Sequence, residues 1–239
     1  MSADVQRAMR PNGPVVAIDG PAGAGKSTIA AHLARRFGLL NLETGAMYRA
    51  FALKARRTGA DVDSEDALVA LALKTKIVLE PTSRGNRVLL DGEDVTDLLR
   101  RPEVTALASR VSVHGHVRSW MVAEQRAMGA QGGVVMEGRD IGTAVFPDAE
   151  VKIFLDASPE KRGERRFEQT ADSAVVAEER ETVIQEMRER DARDRNRAES
   201  PLRPAPDAVL VDSTSLTLDE VVAKVDAIVA PFLPGLQPR

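Results

Sequence analysis

Short apolar runs alternate along the chain with longer stretches that mix aliphatic and charged positions. Val15-Val16-Ala17-Ile18 reads as a buried strand stopped by Asp19-Gly20-Pro21, and residues 27–37 then have helical composition with Gly38 as the stop. Residues 39–42 predict a second strand, and residues 47–58 a helix that Gly59 ends. A short helix over 64–74 follows, with Ser64 as its N-cap. Residues 76–80 and 87–90 alternate as β segments around the turn 81–86, and Asp91-Gly92 gives a second turn before 93–95. The chain returns to helix over 102–130, to strand at 134–136 and 151–155, and to a charged helical stretch over 159–197 interrupted near 170–173. A fifth strand at 208–211 and an amphipathic helix over 218–229 close the pattern. Five short apolar strands separated by helices predict an α/β fold, a five-stranded parallel sheet with helices on both faces. The antiparallel meander near 75–96 breaks that rhythm and is read as an insertion.

Length and charge narrow the class. At 239 residues, with 43% apolar and 29% charged positions, the chain can bury a core without covalent staples. Aromatic residues make up only 3%, so that core must be aliphatic. A net charge of −3 and a pI of 5.8 argue against general affinity for nucleic acid. The 33 cations are 26 arginines and 7 lysines, a bias toward the side chain that grips phosphate and carboxylate in a fork. There is no cysteine, which excludes disulfides, thiolate metal sites and cysteine nucleophiles. His32, His114 and His116 leave little for a histidine metal site and are assigned ordinary surface or loop roles. No apolar run approaches the ~20 residues of a membrane span, and residues 1–13 read as a loose polar leader rather than a signal peptide. The expectation is a soluble cytoplasmic protein, and a monomer, since no long apolar stripe is left over.

The strongest local signal is Gly20-Pro21-Ala22-Gly23-Ala24-Gly25-Lys26-Ser27, which fits G-x-x-x-x-G-K-[ST] between a strand and a helix. Glycines let backbone N–H groups wrap a phosphate, and the following helix adds its positive end. In such a loop Lys26 reaches the β and γ phosphates and the Ser27 hydroxyl ligates Mg²⁺. A phosphate loop alone does not separate kinases from switches, motors or helicases.

Two more segments sit at strand ends, where open α/β sheets bind ligands. They are Glu43-Thr44-Gly45-Ala46-Met47-Tyr48-Arg49 and Glu137-Gly138-Arg139-Asp140-Ile141-Gly142-Thr143. A third, Arg190-Asp191-Ala192-Arg193-Asp194-Arg195-Asn196-Arg197, packs four arginines into eight residues. Alone, that run is consistent with a solvated helix face laced by ion pairs. Beside the other two it points to a second phosphate, distinct from those of ATP.

Taken in order, the phosphate loop, E-T-G-A-M-Y-R, E-G-R-D-I-G-T, V-F-P-D-A, K-I-F-L-D-A-S and R-D-R-N-R resemble the bacterial cytidylate (CMP) kinases, nucleoside monophosphate kinases of the P-loop class. The resemblance covers roughly residues 14–230, including the inserted meander. It implies a core of residues 14–45, 131–157 and 198–239, a CMP-binding region of 46–130, and a lid with an arginine-rich helix over 158–197. It implies that Gly20, Pro21, Ala22, Gly23, Ala24, Gly25, Lys26, Ser27 and Thr28 hold ATP. Arg49, Arg139 and Arg197 fall on the CMP phosphate with Tyr48 in the same pocket, and Thr44, Arg190 and Asp194 near the ribose hydroxyls. Ser109, Arg118 and Asp140 read the cytosine edge. Arg162, Arg165 and Arg166 are lid arginines that close over the transferring group, where they would act catalytically with Lys26 and Arg139. Two positions depart from many relatives: Thr44 stands where serine is common, and Glu137 where aspartate is common and contacts Mg²⁺ through water.

These roles suit the chemistry. Cytosine offers an N4 donor beside N3 and O2 acceptors, so an ionised Asp140 accepts while Arg118 or Ser109 donates. UMP would leave those groups mismatched. The implied reaction is ATP + CMP or dCMP → ADP + CDP or dCDP with Mg²⁺, without nucleic acid or membrane as partner. A kinase for UMP or dTMP, or a non-catalytic module holding RNA, are the rival readings; scarce aromatics weaken the second.

Overall fold

A computed structural model describes residues 10–82, 85–170 and 177–233, without the side chains of residues 166, 168–170 and 177–180. The first apolar run forms β1 (Val15–Asp19), all five residues buried. It feeds α1 (Lys26–Phe37), β2 (Leu40–Glu43) and α2 (Thr44–Thr58). Helix α3 (Glu65–Ala72) starts at Ser64, whose side chain accepts the Ala67 N–H as the sequence predicts. The meander is β3 (Ile77–Thr82), β4 (Gly85–Leu90) and β5 (Glu93–Asp94), antiparallel throughout.

The helical stretch that follows is two helices, α4 (Pro102–Val111) and α5 (Gly115–Gly129). Then come β6 (Val134–Glu137), a wide helical turn at Ile141–Val145 and β7 (Val151–Asp156). The charged stretch splits into α6 (Pro159–Thr170) and α7 (Ala177–Asn196), and part of its expected break lies outside the described residues. Strand β8 (Val209–Asp212) and α8 (Leu218–Val229) finish the chain, and a capping box between Thr217 and Glu220 starts α8.

The main sheet is parallel, in the order β2-β6-β1-β7-β8. Successive residues of β1 point to opposite faces, so each face carries its own aliphatic layer. Val15 and Ala17 join Leu42, Val134 and Met136 on one face, against Met47 and Phe51 of α2, Leu68 of α3, Val104 of α4 and Met121 of α5. Val16, Ile18, Val135 and Ile153 face the other way, against Ile29 and Leu33 of α1 and Val221, Val225 and Val229 of α8. The last strand, β8, lies at an edge of the sheet, and its Val209 and Leu210 are 45% and 66% exposed. Among the described residues no helix is long and apolar enough to cross a membrane.

Candidate active site

One cavity of about 1160 Å³ opens at the C-terminal ends of β1, β2 and β6, and the phosphate loop, both strand-end segments and the arginine-rich run all contribute to it. At its centre the phosphate loop turns from β1 into α1. Gly20, at φ +148°, lies so close to the Leu155 carbonyl that any side chain would collide with it. Residues 22–29 line the cavity, with Ser27 and Thr28 exposed to it. Lys26 is buried, and its Nζ donates to the Pro21 carbonyl at 2.7 Å. Burial pushes its ammonium down to about 7, Arg139 and Arg190 add to the shift, and Glu137 and Asp19 oppose it.

The second strand end becomes the first turn of α2, three residues earlier than the sequence predicts. Thr44 Oγ1 donates to the Glu137 carbonyl at 2.7 Å and fastens this turn to β6. Thr44 thus spends its hydroxyl proton on the backbone, although it lines the cavity. One helical turn on, Tyr48 shares the same face, and burial raises its phenol to about 12. Arg49 pairs with Glu43, while its Nε has no hydrogen-bond partner among the described residues.

Arg139 donates through Nε to Asp194 at 3.0 Å. Arg190, Asp194 and Arg197 recur at helical spacing and line the cavity from the end of α7, whereas Arg193 and Arg195 are exposed. Part of the run is therefore the solvated face that the sequence allowed. Burial alone would raise Asp194, but Arg139, Arg190 and Arg197 outweigh it and hold the carboxyl below the usual range. Arg197 is anchored through Nε to the Ser200 carbonyl at 2.6 Å, and its Nη2 has no hydrogen-bond partner among the described residues.

Ser109 from α4, Arg118 from α5 and Asp140 after β6 meet at the far end of the cavity, all three buried. Arg118 pairs with Asp140, donates to the Ser112 carbonyl at 3.2 Å, and lies over the Tyr48 ring at 5.8 Å. The Ser109 hydroxyl and Arg118 Nε have no partner among the described residues. The break between α4 and α5 brings Ser109 and Arg118 to one pocket. Neither His114, bonded to the Val62 carbonyl, nor His116, paired with Glu65, lines it.

The lid arginines diverge. Arg165 lines the cavity and donates to the Ser213 hydroxyl and carbonyl at 3.1 and 2.8 Å. Arg162 does not line it: the side chain is 1% exposed and committed to Ala157 O at 2.8 Å, Ala22 O at 2.9 Å and the Asp191 carboxylate. In this structure Arg162 is a tie between α6, α7 and the phosphate loop, not a free arm over a reacting group. The Arg166 side chain lies outside the described residues.

Sequence reasoning missed several contributors. Asp191 partners Arg162 from inside the arginine-rich run, where spacing from Asp194 was the available signal. Ser213 and Leu216 from the loop after β8, with Leu218 and Val221 from the first turn of α8, line the cavity near Arg165, and none of them sits in a motif. Arg100 and Thr105 also line the cavity. Asp19, buried at the end of β1, accepts the N–H groups of Ile141 and Gly142.

Comparison with known proteins agrees with this geometry. A family model described as cytidylate kinase matches residues 16–230. A protein named cytidylate kinase from Pelotomaculum thermopropionicum is 50% identical over 218 residues, covering 91% of this chain and 96% of that one. Others of that name, from Geobacillus thermodenitrificans and Enterococcus faecalis, are 49% and 47% identical over 214 residues, covering 90% of this chain and 95% and 94% of their own. The match embraces the phosphate loop, both strand-end arginine segments and the inserted meander alike, and the chain belongs to the cytidylate kinase family.

Proposed function

We propose that this protein transfers the γ-phosphoryl group of ATP to CMP or dCMP, giving ADP and CDP or dCDP. The observation that carries the choice of acceptor is the far end of the cavity, where the buried Ser109 hydroxyl, without a partner among the described residues, faces the same space as the Arg118–Asp140 pair. An acceptor-only carboxylate beside two donors complements the cytosine edge. Uracil presents its hydrogen-bonding groups in the opposite sense at two of those positions. The apolar end formed by Leu216, Leu218 and Val221 suits the purine of the donor.

The acceptor phosphate oxygen is ionised at neutral pH, so its attack on the γ phosphorus needs alignment rather than a strong base. Arg49, Arg139 and Arg197 would hold that phosphate from three separate elements. Lys26 would leave the Pro21 carbonyl for the donor phosphates, and their charge would restore its proton. Arg165 would swing from Ser213 onto the transferring group, with Arg162 setting the hinge from which it moves. Closure of α6 over the cavity would exclude water, which would otherwise hydrolyse ATP.

Ser27 and Glu137 fit Mg²⁺. Both offer hard oxygen, and Glu137 Oε1 is buried without a hydrogen-bond partner among the described residues. Burial and the nearby Glu43 raise the Glu137 carboxyl, an unfavourable charge that a cation would relieve. The ion, held by Ser27 and through water by Glu137, would supply charge neutralisation on the phosphates.

ADP formation from MgATP, measured with CMP, dCMP, UMP, dTMP and AMP in turn, tests the proposal. Turnover with CMP and dCMP well above UMP is expected. Equal or faster turnover with UMP would overturn the reading of Asp140, and no turnover with any acceptor would overturn the kinase reading.

A further inference from the structure

We propose that Asp19 is a positioning residue that registers the base-reading turn against the phosphate loop, and so sets acceptor selectivity from beneath the site. The inference rests on the acceptor reading above. Strand β1 ends at Asp19, whose main chain runs directly into Gly20 and the phosphate loop. Its carboxylate reaches sideways instead. Oδ1 accepts the Ile141 N–H at 2.8 Å and Oδ2 the Gly142 N–H at 2.7 Å.

Those are the first two N–H groups of the turn that Asp140 heads. The next three, from Thr143, Ala144 and Val145, point back to the Asp140 carbonyl at 3.3, 2.8 and 3.2 Å. A helical turn leaves its leading N–H groups without internal partners, and a nearby side-chain oxygen ordinarily caps them. Here Asp140 forms no side-chain cap of its own, and its carboxylate is turned to Arg118. The cap comes from another strand, 122 residues earlier in the chain. Asp140 is thereby free to face the pocket because Asp19 does the capping.

Two further contacts make the attachment rigid. The Gly138 N–H donates to the Ile18 carbonyl at 2.9 Å, so Gly138 and the Ile141–Gly142 pair are tied to the last two residues of β1. Gly142 is wedged: a Cβ there would stand 3.1 Å from Cδ of Lys152 and 3.4 Å from Oδ2 of Asp19. Lys152 is itself fixed by the Pro147 carbonyl at 2.6 Å and the Asp207 carboxylate at 2.8 Å. A shift of the turn therefore moves Asp140 and its Arg118 partner, while the phosphate loop keeps its attachments to β1 and α1.

Asp19→Asn tests this, because the amide keeps the size but turns an NH₂ toward one of the two N–H groups. KM for CMP is expected to rise about tenfold, and the CMP-over-UMP ratio of kcat/KM to fall at least about fivefold, with KM for ATP within about twofold of wild type. In an Asp140→Asn background, Asp19→Asn should add little further loss of selectivity, since it acts through Asp140. Unchanged selectivity beside a selective wild type, parallel rises in KM for ATP and CMP, or fully additive losses would each overturn the proposal. Should Asp19→Asn not fold, Gly142→Ala displaces the same turn, and unchanged CMP selectivity in that variant would overturn it. A wild type without CMP preference would sink the functional reading itself, and this proposal with it.

Discussion

Lys26 and Asp19 flank the entrance to the phosphate loop, and burial pushes both toward their neutral forms. For Asp19 burial lifts the carboxyl from 3.8 to about 6, against the pull of the Gly142 and Ile141 N–H groups. An acid whose folded pKa lies above its unfolded value binds its proton more readily in the fold. Its contribution to stability is therefore greatest below about pH 4 and declines as pH rises to about 6. The shift of about two units corresponds to about 3 kcal/mol across that window. Denaturant unfolding of wild type and Asp19→Asn between pH 4 and 6.5 checks it: the wild type should lose ground to the variant as pH rises. A flat difference would mean that the carboxyl titrates normally. Residues of the phosphate loop and the strand-end segments were legible in the site because they sit in motifs, whereas Ser109 and Arg118 lie in none; for all of them the state of engagement was not legible. Arg162 and Arg165 look alike in sequence, yet one faces the cavity and the other is spent on Ala22, Ala157 and Asp191. The partner that decides this is 29 residues away, and no local pattern encodes it.

Strands and helices were legible where periodicity ran long, and shifted where tertiary contacts overrode it. Helix α8 matches its pattern because amphipathic spacing and a capping box agree. Helix α2 begins at Thr44, ahead of its apolar pattern, because Thr44 is fastened to the Glu137 carbonyl on a neighbouring strand. The turn at Ile141–Val145 left no sequence signal, since Asp19 caps it from afar. The same logic governs the pairing of α6 with α7. Asp191 is buried against Arg162, so Asp191→Ala would leave a guanidinium nearly without exposure and without its counter-charge. Breaking one side of a buried pair costs about 3–5 kcal/mol, and that loss is expected in denaturant unfolding. A loss under about 1 kcal/mol would mean that α6 carries Arg162 into water when the partner is removed.

At the scale of the whole molecule, a parallel sheet was predictable but its order was not. Strands β2 and β6 are separated in sequence by four helices, α2 to α5, and the meander, and only long-range packing places β6 between β2 and β1. The same packing bears on how the acceptor region moves. Residues 46–130 are read as the CMP-binding region, and Met47, Phe51, Leu68 and Met121 within it share one buried cluster with Val15, Ala17, Leu42 and Met136 of the sheet. Sliding that region as a detached domain would expose aliphatic surface at about 25 cal/mol per Å². Closure should instead fall to α6 and to side chains at the cavity, with the described body unfolding as one. Calorimetry is expected to show a single transition in the free protein. CMP together with a non-hydrolysable ATP analogue, each at about 100 times Kd, should stabilise by about 2.7 kcal/mol per independent ligand. For a chain of this size that is a rise of about 5–10 °C in Tm for each. Two resolved transitions, with CMP moving only one, would show that the shared cluster does not couple the acceptor region to the sheet.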